Sequence, residues 1–329
     1  MSTEQGFSLY AGDGRPLAER GLSLPPFEPT GALDDPAGYI AGAGLRDAVN
    51  VALMLGQPLL VTGEPGTGKT QLAASVAHEL GLPAPLVFHA KTTSAARDLF
   101  YRYDALGHFH DAHFRPDRTD VEQYVTYEAL GLAILLSLAP EAADPYLPAH
   151  LRGRGPTRSV VLLDEIDKAP RDLPNDVLNE IESLTFTVKE TGRTFAAEQS
   201  FRPVVILTSN SEKNLPDAFL RRCVFYHIPF PTTDELRAIV RRRLRLSGAF
   251  TEEMLAGALA HFEKIRELAL KKKPATAELL AWLRVLDRRQ LDVNNLRPGE
   301  REALALTYAV LAKSREDRDL LARNLSPAR

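Results

Sequence analysis

The sequence predicts an α/β fold, a parallel sheet of buried strands built around a phosphate-binding turn, followed by a smaller α-helical domain. Three observations carry this. The apolar run Leu59-Leu60-Val61 feeds residues 63–70 (GEPGTGKT), and an amphipathic stretch over residues 71–80 follows without a break. Strand, glycine-rich turn, helix is the context that a phosphate-binding loop requires. Two further continuous apolar runs, residues 160–163 and 203–208, suit strands covered on both faces of a parallel sheet. Beyond Pro231 the pattern turns to capped helical segments.

Bulk properties bound the answer. A chain of 329 residues predicts about two domains, each able to bury a core. Apolar residues at 44% and charged residues at 25% are ordinary for a soluble globular protein. Cys223 is the only cysteine, which excludes an intramolecular disulfide and suits a reducing cytosol. With no motif around it, a small packing residue is the favoured role. The first ten residues have neither a basic start nor an apolar signal core. The apolar stretch 129–139 falls short of the roughly 20 residues needed to cross a bilayer, so a cytoplasmic protein without a membrane span is expected. Residues 231–329 carry 20 Lys+Arg against 14 Asp+Glu, a net +6 that leaves −9 for residues 1–230. That asymmetry fits a polyanionic partner, or a basic part packing on an acidic part of a neighbouring copy.

In chain order, residues 1–37, with five glycines and five prolines, read as an arm or linker. An α/β domain is expected over residues 38–230. Leu45, Val49, Ala52 and Leu53 lie at helical spacing before the strand at residue 59. In the turn, Gly63, Gly66 and Gly68 allow backbone angles closed to other residues, so successive N–H groups of Gly63, Glu64, Pro65, Gly66, Thr67 and Gly68, proline excepted, can converge on an anion. Lys69 adds a charge for the β- and γ-phosphates, and Thr70 brings a hydroxyl to where Mg2+ would sit. Residues 86–90 read as a second strand.

Residues 91–159 exceed what one crossover needs, so an insertion is expected, with an apolar helix near residues 127–138. Its HFHDAH segment (His108, His110, Asp111, His113) lacks a second ligand cluster at a zinc spacing. It reads as an exposed or partly packed loop. Asp164 and Glu165 end the next strand at the sheet edge where open α/β sheets bind ligands. There Asp164 could hold the hydration shell of Mg2+ and Glu165 could activate a water.

Residues 174–184 have a helical pattern, and residues 186–195 read as a hairpin turning at Glu190-Thr191-Gly192. Asn210, after the strand ending at Thr208, could fix the attacking water. Arg221 and Arg222 could reach a neighbouring subunit's γ-phosphate. Past Pro231, Thr232 and Glu235 form a capping box. Further helices are expected to open at Thr251, after Pro274 and at Pro298. Arg241-Arg242-Arg243 and Lys271-Lys272-Lys273 read as solvated helix faces or ends, and no aromatic interleaving marks a base-stacking surface.

Taken together, over residues 38–290, these parts resemble an AAA+ ATPase of the MoxR and dynein-related branch. GEPGTGKT is similar to Walker A, VVLLDEIDKAP to Walker B, the 186–195 hairpin to the insertion before sensor 1, and Asn210 to sensor 1. LPDAFLRRC resembles the arginine-finger segment, with Arg222 the closer match and Arg221 the reserve. The resemblance implies a sheet of order 5-1-4-3-2 and a helical lid over residues 231–329. It further implies ATP with Mg2+, held by Thr70 and Asp164, rings that are usually hexamers, and a protein client or von Willebrand factor A-type partner. One departure stands out. Ala277 occupies the position where the lid usually carries a sensor-2 Arg, with Arg284 about two turns on as a substitute. Two other functions stay open: a nucleotide-dependent nucleic-acid machine, GTP-using like the restriction branch of the same relatives, and a nucleotide-gated scaffold with little turnover.

Overall fold

In a computed structural model of the protein, residues 9–21, 23–24, 35–114, 120–170, 173–211 and 215–325 are described. Two compact units divide the chain. One is Tyr39–Phe230, and the other joins Met1–Gly38 to Pro231–Arg329.

The first unit opens with helix α1 (Ala43–Leu55), strand β1 (Leu59–Gly63), helix α2 (Lys69–Glu79) and strand β2 (Leu86–His89). The insertion follows as β3 (Tyr101–Tyr103), α3 (Ala105–Phe114), β4 (Val125–Tyr127), α4 (Ala129–Leu136) and α5 (Pro140–Ala143). Next come β5 (Val160–Asp164), α6 (Leu173–Ser183), the hairpin β6 (Thr185–Val188) and β7 (Arg193–Ala196), β8 (Val204–Ser209), α7 (Asp217–Leu220) and β9 (Val224–Ile228).

Five strands make a parallel sheet in the order β2-β5-β8-β1-β9. Counted among themselves and read from the β9 edge, they run 5-1-4-3-2, the order expected. Strand periodicity explains why these runs are apolar throughout. Leu60, Val161, Leu163, Val205 and Leu207 pack on one face, with the insertion and the hairpin. Leu59, Val61, Val160, Leu162 and Ile206 pack on the other, with α1 and α2. In the three central strands β1, β5 and β8 both faces are covered, so polar side chains are confined to their carboxyl ends, whereas the edge strands β2 and β9 are partly exposed.

The insertion differs in detail from its expectation. HFHDAH lies on helix α3 rather than in a loop. Rings four residues apart meet at a tilt along that helix, Phe109 with His113 at 4.4 Å and His110 with Phe114 at 4.8 Å between centroids. Tyr127, expected in the apolar helix, instead pairs in β4 antiparallel to β3. The insertion and the hairpin share an aromatic cluster: Phe186 stacks on Phe100 at 5.1 Å, and Phe195 meets Tyr127 and Tyr146 edge-on at 5.9 and 4.9 Å. Tyr101 Oη also accepts the Lys189 N–H at 2.9 Å, tying the hairpin turn to β3.

The second unit holds α8 (Thr233–Arg243), α9 (Glu252–Glu267), α10 (Thr276–Arg289), α11 (Glu300–Thr307) and α12 (Arg315–Leu325), with the fully buried Trp282 of α10 against α9 and α11. The capping box at Thr232 forms, with the Thr232 N–H donating to Glu235 Oε2 at 2.8 Å. Arg243 corrects the reading of its run as solvated. It is buried, and its Nε donates to Gly38 O at 3.3 Å, while Arg242 donates to Ala37 O and Arg241 pairs with Glu252. These contacts explain why Ala37 and Gly38 group with the C-terminal helices. Much of the expected N-terminal arm, residues 1–8, 22 and 25–34, lies outside the described residues. Lys271 is exposed as expected, yet its N–H and that of Lys272 donate to the buried Asp317 at 2.8 and 3.3 Å.

Candidate active site

β1 delivers the chain to its carboxyl end at Gly63, whose φ of 151° and close approach to β9 both select glycine. A Cβ there would lie 2.7 Å from Ile228 O. Gly66 and Gly68 take φ of 79° and 88°, left-handed angles that glycine alone adopts without a Cβ penalty and that let the loop turn tightly. Thr67 closes the turn by donating Oγ1 to Glu64 O at 2.9 Å. Gly68 is the N-cap of α2, and no side chain caps it, so the first-turn amides and the helix dipole remain for an anion.

Lys69 is folded into this turn, 7% exposed, with Nζ donating to Gly63 O at 2.8 Å and Glu64 O at 3.0 Å. Burial pulls its pKa below the usual lysine value, opposed by attraction from Asp167, Asp164 and Glu165. A desolvated cation held by two carbonyl oxygens and the field of nearby acids is primed for an anionic ligand.

Asp164, at the end of β5 and 7% exposed, gathers three side chains. Its Oδ1 accepts from Thr70 Oγ1 at 3.0 Å and from Thr208 Oγ1 at 2.6 Å, and its Oδ2 lies 3.3 Å from His89 Nδ1. A hydroxyl and a carboxylate side by side form the hard oxygen donor set that suits Mg2+. The residues present therefore fit that ion.

Glu165 takes left-handed angles, φ 56° and ψ 47°. For a non-glycine residue these cost about 1–2 kcal/mol. Its N–H donates to Thr208 Oγ1 at 2.9 Å, and its Oε2 pairs with Lys168 Nζ at 2.5 Å in an exposed ion pair that raises the lysine pKa. Asn210, just past β8, is anchored by its N–H to Asp167 Oδ1 at 3.3 Å.

The turn, Asp164, Glu165 and Asn210 thus share one edge of the sheet. Arg221 and Arg222 follow α7 and are both exposed. Arg222 reaches α6 of its own chain, with Nη1 at 3.3 Å from Asn179 Oδ1 and Nε at 3.5 Å from Glu182 Oε1. Burial, reinforced by Glu182, pushes the Cys223 thiol up to about 12, so it stays protonated and acts as packing. In the other unit, Ala277 is exposed at the second position of α10 and Arg284 is half-buried. Sequence reasoning missed Thr208, His89, Asp167 and Lys168. Only Thr208 left a signal, as the first polar residue to close an apolar strand.

The family model described as AAA domain (dynein-related subfamily) matches residues 58–223. That span runs from the start of β1 to just past the arginine pair. No curated protein matches the chain.

Proposed function

The chain belongs to the dynein-related subfamily of AAA domains, and from that premise we propose a MoxR-like, ring-forming ATPase that hydrolyses ATP with Mg2+ and remodels a protein partner. The observation that carries this reading is the hydrogen bond from Thr70 to Asp164, 94 positions away in sequence, made by the residue next to the buried Lys69.

In this reading Lys69 and the loop amides bind the β- and γ-phosphates. Thr70 and Asp164 would hold Mg2+, which when bound supplies positive charge to the phosphate oxygens. Glu165 accepts a proton from the attacking water and Asn210 orients that water. The bond from γ-phosphorus to the bridging oxygen breaks as the water oxygen attacks, leaving ADP and inorganic phosphate. Arg222, or Arg221 in its place, stabilises the transferring group in a neighbouring subunit. Its contacts to Asn179 and Glu182 are solvent-exposed, so releasing them costs little. Hexameric assembly, a von Willebrand factor A-type partner or protein client, and a cytoplasmic location belong to this proposal. No helix among the described residues is long and apolar enough to cross a membrane.

Phosphate release by wild type, Glu165→Gln and Arg222→Ala provides the test. Glu165→Gln is expected to slow release by at least about a hundredfold while ATP binding persists. Arg222→Ala is expected to be restored by mixing with Lys69→Ala subunits, which cannot bind ATP but still offer the arginine. Unchanged turnover in Glu165→Gln would remove that carboxylate from the mechanism, and failure of the mixture would remove the trans role.

A further inference from the structure

The backbone pairing of β5 with β8 runs to Leu163 and Leu207. One residue further, the ladder passes into a side chain. Thr208 Oγ1 receives the Glu165 N–H at 2.9 Å and donates to Asp164 Oδ1 at 2.6 Å. Thr208 is 1% exposed, so water does not compete for either bond. A hydroxyl has one proton to give and lone pairs to receive, and here both capacities are spent on two successive residues with different duties. One bond fixes the carboxylate that stands beside Thr70. The other fixes the backbone at which the chain enters a left-handed conformation, one that Glu165 would not adopt unaided.

We propose that Thr208 is a positioning residue that couples the Asp164 carboxylate to the backbone of Glu165, setting the metal-holding and water-activating acids of the site in fixed relation. The inference rests on the hydrolytic reading above but concerns a residue that makes no contact with nucleotide in it. Valine matches the shape of threonine and lacks the hydroxyl, whereas serine keeps the hydroxyl and lacks the methyl. If the hydroxyl matters, the two variants separate.

The experiment compares wild type, Thr208→Val and Thr208→Ser. It measures kcat for phosphate release, binding of a fluorescent ATP analogue, and the Mg2+ concentration that gives half-maximal tightening of that binding. Expected are a fall in kcat of at least tenfold for Thr208→Val, a Mg2+ requirement raised at least fivefold, and analogue affinity without metal within threefold of wild type. Thr208→Ser should keep at least a third of the wild-type kcat and the wild-type Mg2+ requirement. Turnover and Mg2+ requirement in Thr208→Val within twofold of wild type would overturn the inference, as would equal losses in the two variants, which would trace the effect to packing. A wild type that binds the analogue without releasing phosphate would instead overturn the hydrolytic reading. The inference would then stand or fall on the Mg2+ requirement alone.

Discussion

Glu165 concentrates the residue-scale physics of the candidate site, because its left-handed backbone costs stability at the residue proposed as the water-activating acid. Among the described residues, only Leu184 and Gln290 share a positive φ without being glycine. Glycine at such a position is free of the Cβ penalty, whereas alanine keeps it and merely loses the carboxylate. Both substitutions forfeit the exposed pair with Lys168, worth little in water. Glu165→Gly is therefore expected to be more stable than Glu165→Ala by about 1 kcal/mol, the reverse of their order in a helix. Urea denaturation of the two variants reads this directly, and both should be equally slow in phosphate release. Nothing in the sequence marks a strained glutamate. The glycines of the phosphate-binding turn were legible because glycine is the residue such angles select, but the same angles at Glu165 leave no compositional trace.

At the scale of elements, legibility followed length and periodicity. β1, β5 and β8 read correctly since their apolar runs need cover on both faces, and α2 and α8 since their ends carry turn and capping residues. The insertion was harder. β3 and β4 are three residues each, too short for alternation to register, and the histidines of α3 obscured its helical spacing. α12 was not expected at all, its run of charges hiding the buried Asp317 and Leu321. Within the insertion, Gly131 shows how tightly the apolar helix α4 is set. An added Cβ would fall well inside contact distance of the Phe100 carbonyl oxygen, which already accepts the Glu128 N–H at 2.8 Å. Backbone on both sides leaves no side chain to move aside. Gly131→Ala is thus expected to destabilise the α/β unit by roughly 1–3 kcal/mol, although alanine favours helix by itself. A lower chemical-denaturation midpoint followed by circular dichroism would show it, and a gain in stability would mean that α4 shifts away from the Phe100 backbone at little cost.

At the scale of the whole molecule, the sole tryptophan lies in one of the two units, which lets the stability of that unit be read by itself. Trp282 is the only tryptophan. It lies in the C-terminal unit, donates Nε1–H to Thr307 Oγ1 at 2.8 Å and stacks at 5.9 Å on His261. His261 also shares a 2.7 Å hydrogen bond with Tyr308 Oη. Burial, with a smaller push from Lys264, lowers the His261 pKa from 6.5 to about 4. Folded, the ring stays neutral at pH values where the unfolded chain takes up a proton. Acid therefore favours unfolding: the contribution of His261 is complete above about pH 6.5 and is lost as pH falls toward 4. The denaturant midpoint followed by tryptophan fluorescence should drop through that window. His261→Gln keeps a hydrogen-bonding partner for Tyr308 without a titrating ring, so it should flatten the dependence even if it lowers the midpoint throughout. A slope unchanged by His261→Gln would assign the acid sensitivity of the helical unit to other groups.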